Sequence, residues 1–293
     1  MEKFDWKYQE YLSCFNAYLD KYMEGLTTNP TILGDAMKYS LSAGGKRIRP
    51  VLALAVADLL HVPFDEILPF ALALEMVHTY SLVHDDLPAM DNDDFRRGKP
   101  SNHKAFGEAT AILAGDGLLN SAYALCFEQC KKGENHLRAA QILCDCAGIY
   151  GMIAGQAADL HFTARQGAMT EENLSYIHRH KTGKLLLAPI SMACALADNR
   201  NYYSLEKFGN AFGVLFQLTD DILDETGDFS TLGKSIGKDK AENKLTYVTL
   251  YGLEGACARA DLLSGECNAY LEGVDGDTEF LRELVYYVRD RKN

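Results

Sequence analysis

Apolar residues recur at helical spacing through almost the whole chain, and this period constrains the fold more than any other feature. Phe15 to Leu26, Val51 to Leu60, Glu66 to Val83, Ala109 to Cys130, Leu137 to Leu160, Leu174 to Ala197, Leu205 to Leu223 and Tyr247 to Leu271 each read as one long helix. No alternating strand pattern competes with them, so an all-α bundle is expected. Breakers stand between the helices: TTNPT around Pro30, AGGKRIRP from Ala43 to Pro50, HVP at Pro63, RRGKPS before Asn102, and a Gly- and Lys-rich stretch from Thr226 to Lys244. Pro189 falls inside an apolar helix and is expected to kink or restart it. No linker or low-complexity tract divides the 293 residues, which read as a single domain, 1–293. Loops this rich in Gly and Lys, joining helices this apolar, place function at one end of the bundle.

Charge removes some partners. With Lys+Arg 29 against Asp+Glu 41, the net charge of −12 leaves no basic field for nucleic acid or an anionic membrane. The start, MEKFDWKYQE, lacks the apolar core of a signal peptide, so secretion is not expected. Uncharged apolar runs such as Val51 to Ala57 and Ile67 to Leu74 fall short of the about 20 residues that span a bilayer, and membrane insertion is not expected either. Eight cysteines, among them Cys126, Cys130, Cys144, Cys146 and Cys194, are scattered through apolar segments without metal-ligand spacing. They read as buried thiols of a cytoplasmic protein.

Five aspartates crowd the ten residues from Asp85 to Asp94, and Arg96 and Arg97 follow at once. Asp85, Asp86 and Asp91 cannot share one face of an unbroken helix, but Pro88 predicts a helix end near Leu87, after which the chain curls Asp91 back toward Asp85. A second cluster, LFQLTDDILDE, puts Asp220 and Asp224 at i and i+4, one turn apart on the same face. Like charges at that spacing repel, whereas a hard divalent cation sharing their oxygens offsets the repulsion. One acidic run at a helix end reads equally well as a solvated terminus. Two such runs, each closing a strongly apolar helix, point to carboxylates at the rim of an apolar cavity.

The cations gather beside these motifs: Lys46, Arg47 and Arg49 in GGKRIRP, Arg96, Arg97, Lys181 in RHKTG, and Lys234, Lys238 and Lys244 in the late loop. An acidic chain that collects its bases there is suited to metal ions and to the polyphosphate those ions bridge. Taken alone, AGGK is a helix C-cap and His78 a core histidine, although His78 sits seven residues before Asp85, two turns away on the same face.

From about Tyr39 onward the chain resembles the trans-prenyl diphosphate synthases, and most nearly their bacterial farnesyl diphosphate branch. The matching stretches run in order: SAGGKRIRP, EMVHTYSLVHDDLPAMDNDDFRRGKP, AILAGDGLL, GQAADL, HKTGKL, FQLTDDILD and LGKSIGKD. Four residues separate Asp86 from Asp91, as in the bacterial farnesyl and the bacterial and plant geranylgeranyl enzymes. Leu245 departs from the small residue or proline expected after Lys244.

The resemblance implies an isoprenoid-synthase-type helical bundle around a central apolar cavity and a homodimer. It implies Mg²⁺, three ions per site with Mn²⁺ as a substitute, on Asp85, Asp91, Asp220 and Asp224, with Asp86 in support. Arg96, Lys181, Thr182, Gln217, Lys234 and Lys244 would cage the diphosphate of an allylic substrate, dimethylallyl or geranyl diphosphate. Lys46, Arg49, His78 and Arg97 would hold isopentenyl diphosphate. Tyr80 and Ser81, about one turn before Asp85, would set product length, an aromatic at Tyr80 going with a fifteen-carbon product. Asp116 and Asp159 match the family and can equally hold helices together. A geranylgeranyl enzyme is the alternative. A class I terpene cyclase would leave GGKRIRP and the Arg96–Arg97 pair without purpose, and a non-catalytic partner subunit predicts a degraded acidic motif, where both are intact.

Overall fold

The computed structural model describes residues 2–163, 170–198, 202–226 and 246–291. In chain order they form α1 (Glu2–Gly25), α2 (Thr31–Leu41), α3 (Ile48–Leu59), α4 (Phe64–Asp85), a two-stranded antiparallel ladder of β1 (Phe95–Arg96) and β2 (Lys99–Pro100), α5 (Asn102–Phe106), α6 (Glu108–Cys130), α7 (Glu134–Ala147), α8 (Met152–Thr163) and α9 (Glu171–Ile177). A π-helical turn, His178–Gly183, leads into α10 (Lys184–Ala197), followed by α11 (Tyr202–Thr226), α12 (Tyr247–Glu272) and α13 (Glu279–Asp290). The all-α expectation holds.

The core follows the hydrophobic pattern. In α3, α4 and α10 apolar residues surround the helix, which is the signature of a helix enclosed on every side. Val51 to Ala57 in α3, Ile67 to Val77 in α4 and Leu185 to Cys194 in α10 are accordingly buried without interruption. Packing against one another, they are wrapped by α1, α6, α7 and α11, with α12 and α13 laid against α11. Pro50, read as a breaker, lies in the first turn of α3, where a missing N–H leaves no helical bond unmade.

Several boundaries differ from expectation. The stretch 137–160 is not one helix: α7 ends at Ala147, and the turn Gly148–Gly151, closed by a Gly151 N–H bond to the Gly148 carbonyl at 2.9 Å, separates it from α8. Apolar periodicity runs on through that turn, which hid it. Pro189 sits buried inside α10, and the ladder is interrupted earlier, at the π turn. Gly252, at φ 70°, kinks α12. All eight cysteines are free, but Cys144 and Cys257 are exposed, correcting the reading of uniformly buried thiols.

Among the described residues three segments, Phe64–Asp85, Glu108–Cys130 and Glu134–Thr163, are long and apolar enough to cross a membrane by length and composition, more than uncharged runs alone indicate. The most apolar stretch of the first is 78% buried in the protein, against 33% and 39% for the others, so α4 is core while α6 and α7–α8 leave an apolar face open. Ile112, Leu113, Phe127, Ile149, Tyr150 and Ile153 are exposed there.

Candidate active site

The first acidic wall is built where α4 stops. Its helix ends at Asp85, two residues before the expected point, and the Asp91 N–H bonds the Asp85 carbonyl at 2.8 Å while the Asp93 N–H bonds that of Asp86 at 3.2 Å. The curl expected from Pro88 therefore exists. Asp86 is 2% exposed and faces inward onto Arg96, whose Nε donates to Asp86 Oδ1 at 3.0 Å and whose Nη2 also reaches Asp86 and Asp93. Asp85 accepts a hydrogen bond from Gln156 of α8. Burial, opposed by Lys181 and reinforced by Asp91, pushes the Asp85 carboxyl up to about 6.

The second wall is the end of α11. Asp221 points into the protein, accepting from Gln217 Nε2 at 3.2 Å and from the Tyr247 N–H at 3.0 Å, with His178 Nε2 3.9 Å away. Asp220 and Asp224 keep more accessible positions on the same helix. Between the walls lies the π turn, which is wider than an α turn and common at functional sites. Lys181 donates from it to Asp159 of α8 at 2.6 Å, and Thr182 Oγ1 donates to Gln217 Oε1 at 2.7 Å. Burial opposes the Lys181 charge, but Asp159, Asp85 and Asp91 outweigh it and raise its pKa. The turn fits because α8 has a glycine facing it: a Cβ on Gly155 would lie 2.1 Å from the Lys181 backbone nitrogen.

A recess of about 160 Å³ opens beside these walls, and Lys46, Arg49, His78 and Arg97 all line it, with Arg47, Glu75 and Phe216. Arg47 is buried against Glu75 and also bonds the Leu41 carbonyl, so it anchors the loop from within. Arg97 donates to the Gly44 carbonyl, and Gly45, at φ +107°, leaves it room: a Cβ there would lie 2.7 Å from the Arg97 guanidinium carbon. Arg49 is half-buried, but its Nε is shut off from solvent and has no hydrogen-bond partner. Burial lowers it to about 10, Arg97 adding to the effect against Glu75. Burial and the four surrounding arginines hold His78 well below the usual histidine range, so it is neutral. Burial and Arg291 lower Lys46 to about 8, with Asp220 opposing.

A roomier groove, about 430 Å³ and lined by residues such as Trp6, Tyr11 and Asp277, carries none of the expected site residues. Its Asp58 stands nine residues along α3 from Arg49, about 14 Å at helical rise. Size and chemistry disagree here, and the charged groups identify the site.

Lys234 and Lys244 lie outside the described residues. Reading the sequence for motifs missed Gln156, the Arg47–Glu75 pair, the Asp221–His178 contact and Arg291, although GQAADL places Gln156 and Asp159 one turn apart and could have revealed the first. Among the described residues no three carboxylate, imidazole or thiol groups converge into a ready-made metal cage. Each wall instead offers hard oxygen donors in ones and twos, Asp85 with Asp91 and Asp220 with Asp224. That donor set suits Mg²⁺, which takes one or two carboxylates and completes its shell with water and phosphate oxygens.

The polyprenyl synthetase family model matches residues 30–267. A farnesyl diphosphate synthase of Geobacillus stearothermophilus is 46% identical over 278 residues, covering 93% of each chain. A geranyltransferase from Legionella pneumophila superposes with a TM-score of 0.89 at 34% identity, covering 100% of this chain and 99% of that one. A geranyltransferase from Helicobacter pylori complexed with magnesium and isoprenyl diphosphate gives 0.85 at 33% identity, covering 96% and 94%. Family model, near-full-length identity and shared fold agree with the two acidic walls and the basic recess: this chain belongs to the polyprenyl synthetase family.

Proposed function

We propose that the chain condenses isopentenyl diphosphate with dimethylallyl and then geranyl diphosphate, releasing diphosphate and yielding farnesyl diphosphate. The observation that carries this is the recess. Lys46, Arg49 and Arg97 are held there beside a single carboxylate, Glu75, already engaged by Arg47, and a guanidinium whose buried Nε is unpartnered favours an anion beside it. A polyanion next to two carboxylate walls gives two diphosphate sites of opposite character, one assembled on acidic residues and one on basic residues alone. A cyclase needs only the first.

Asp85, Asp91, Asp220 and Asp224 would hold Mg²⁺, three ions per site with Mn²⁺ as substitute, supporting which is the donor set described above and the magnesium bound by the Helicobacter pylori relative. When bound, the metal neutralises the leaving diphosphate as the allylic carbon–oxygen bond ionises. Lys181, Thr182 and Gln217 orient that diphosphate from the π turn and α11, and Asp86 fixes Arg96 beside them. Lys46, Arg49 and Arg97 fix the other diphosphate, and neutral His78 contributes a hydrogen bond without charge. The new carbon–carbon bond forms when the homoallylic double bond attacks the allylic cation; the departing diphosphate takes the proton, so no side-chain base is required. The protein acts in the cytoplasm as a single domain, 1–293, and as a homodimer, whose interface the exposed apolar rows of α6 and α8 supply.

Incubating the purified chain with dimethylallyl and isopentenyl diphosphates and weighing the products tests this reading. Fifteen carbons are expected. A twenty-carbon product moves the chain to the geranylgeranyl reading, a cyclised hydrocarbon to the cyclases, and absence of turnover to a partner subunit.

A further inference from the structure

Asp220 already holds a cation. Arg291, just beyond α13, donates through Nη2 to Asp220 Oδ1 at 2.7 Å and to the Phe216 carbonyl oxygen at 2.8 Å. Its guanidinium carbon lies over the Phe216 ring, 4.0 Å from the centroid. The side chain is 5% exposed, and its Nε is buried without a hydrogen-bond partner. Carboxylate, carbonyl and ring face lie one turn apart on α11, so Arg291 is clamped onto the face that carries the second acidic motif. An exposed ion pair would contribute little, but here the guanidinium, if not the carboxylate, is desolvated and held by three contacts of different kinds.

The arm also touches the neighbouring chemistry. Phe216 lines the basic recess together with Lys46 and Arg49. The Arg291 charge is felt at Lys46, which Asp220 pulls the other way. With Arg291 docked, one carboxylate of the acidic wall, Asp220, is neutralised from inside the protein. A divalent ion arriving alone must break that pairing and has only Asp220 and Asp224 to gain on α11. One arriving with diphosphate brings further oxygen ligands.

We propose that Arg291 is a resident counter-cation of Asp220, which the metal has to displace, so that metal enters the second acidic wall with the allylic diphosphate and not ahead of it. The inference rests on the prenyl-transfer reading of this site. Displacement is an equilibrium between two cations for one carboxylate, and linkage makes it reciprocal: a change in Arg291 that weakens its pair with Asp220 tightens metal.

The test is a titration of substrate-free protein with Mn²⁺, followed by the electron paramagnetic resonance signal of the free ion. Arg291→Ala should bind about five- to tenfold more tightly than the native chain. Arg291→Lys, whose ammonium cannot reach carboxylate, carbonyl and ring together, should fall between them. In an Asp220→Asn background the gain from Arg291→Ala should vanish. Thermal melts of each variant separate this from misfolding: an arm with only a structural role lowers the melting temperature and leaves metal affinity unchanged. Affinity in Arg291→Ala no higher than in the native chain, including undetectable binding in both, overturns the proposal, as does a gain that persists with Asp220→Asn. Prenyl turnover is read separately. Its absence, with the Mn²⁺ gain intact, refutes the functional reading and leaves the counter-cation standing.

Discussion

The phenol ring of Tyr80 stands edge-on to the imidazole of His84, one turn further along α4, with ring centroids 5.7 Å apart. His84 is itself fixed, Nε2 lying 3.0 Å from the Ile112 carbonyl oxygen, and a Cβ on Gly115 of α6 would lie 2.1 Å from that nitrogen. Tyr80 is thus backed by a ring that cannot retreat, because α6 closes behind it.

A floor of this kind should set product length. Tyr80→Ala is expected to shift the product from fifteen carbons to twenty or more, with turnover retained because no diphosphate ligand changes. Mass analysis of the dephosphorylated products decides it, and an unchanged distribution would place the floor elsewhere.

Removing a carboxylate from either wall should remove stabilisation of the ionising bond. Asp85→Asn and Asp220→Asn are each expected to lower kcat/KM about a hundredfold or more, roughly 3 kcal/mol, and chelation should abolish activity in the native chain. Near-normal turnover in either variant would contradict a two-walled metal site.

The recess and the walls should be separable in kinetics. Arg49→Ala is expected to raise KM for isopentenyl diphosphate about tenfold or more while moving that for the allylic diphosphate much less, since a buried charge-assisted contact is lost on one side only. Equal shifts in both constants would reassign the arginine.

Asp85 should cost the metal-free protein stability. Its folded pKa of about 6 lies above the usual aspartate range, so ionisation is less favourable folded than unfolded. The penalty is absent below the unfolded value and complete above the folded one, about 3 kcal/mol at most. In chelator at neutral pH, Asp85→Asn should therefore melt at higher temperature than the native chain, and the difference should close as pH falls from 6 toward 4. A lower melting temperature at neutral pH would show that the Gln156 bond already offsets the buried charge.

Much of this was legible in the sequence where local chemistry and tertiary role coincide. The run ending in Asp85 is a core helix because it is apolar on all sides, the run leading to Asp220 packs its apolar face on the core, and both aspartates stand near the ends of those helices. Contacts across long separations were not legible: Arg47 meets Glu75 28 residues on, and Arg291 meets Asp220 71 residues back. α13 buries Leu281, Leu284, Val285 and Val288, a plain helical repeat beyond the last helix the periodicity reading assigned. The π turn was invisible because it is a change of hydrogen-bond register and leaves composition untouched. Among the basic residues, Arg47 resembled Lys46 and Arg49 by type, and burial against Glu75 separates it from them.

α8 has a metrological consequence. Gln156 holds Asp85, Asp159 holds Lys181, and the two lie three residues apart on that one helix. The gap between the Asp85 carboxylate and the Lys181 ammonium is therefore graduated by helical rise, about 4.5 Å over three residues, and not by the compliance of any loop. Such a gauge reads the same whatever the flanking loops do, and it can be reset in one-methylene increments: Asp159→Glu lengthens one arm and leaves the other as it was.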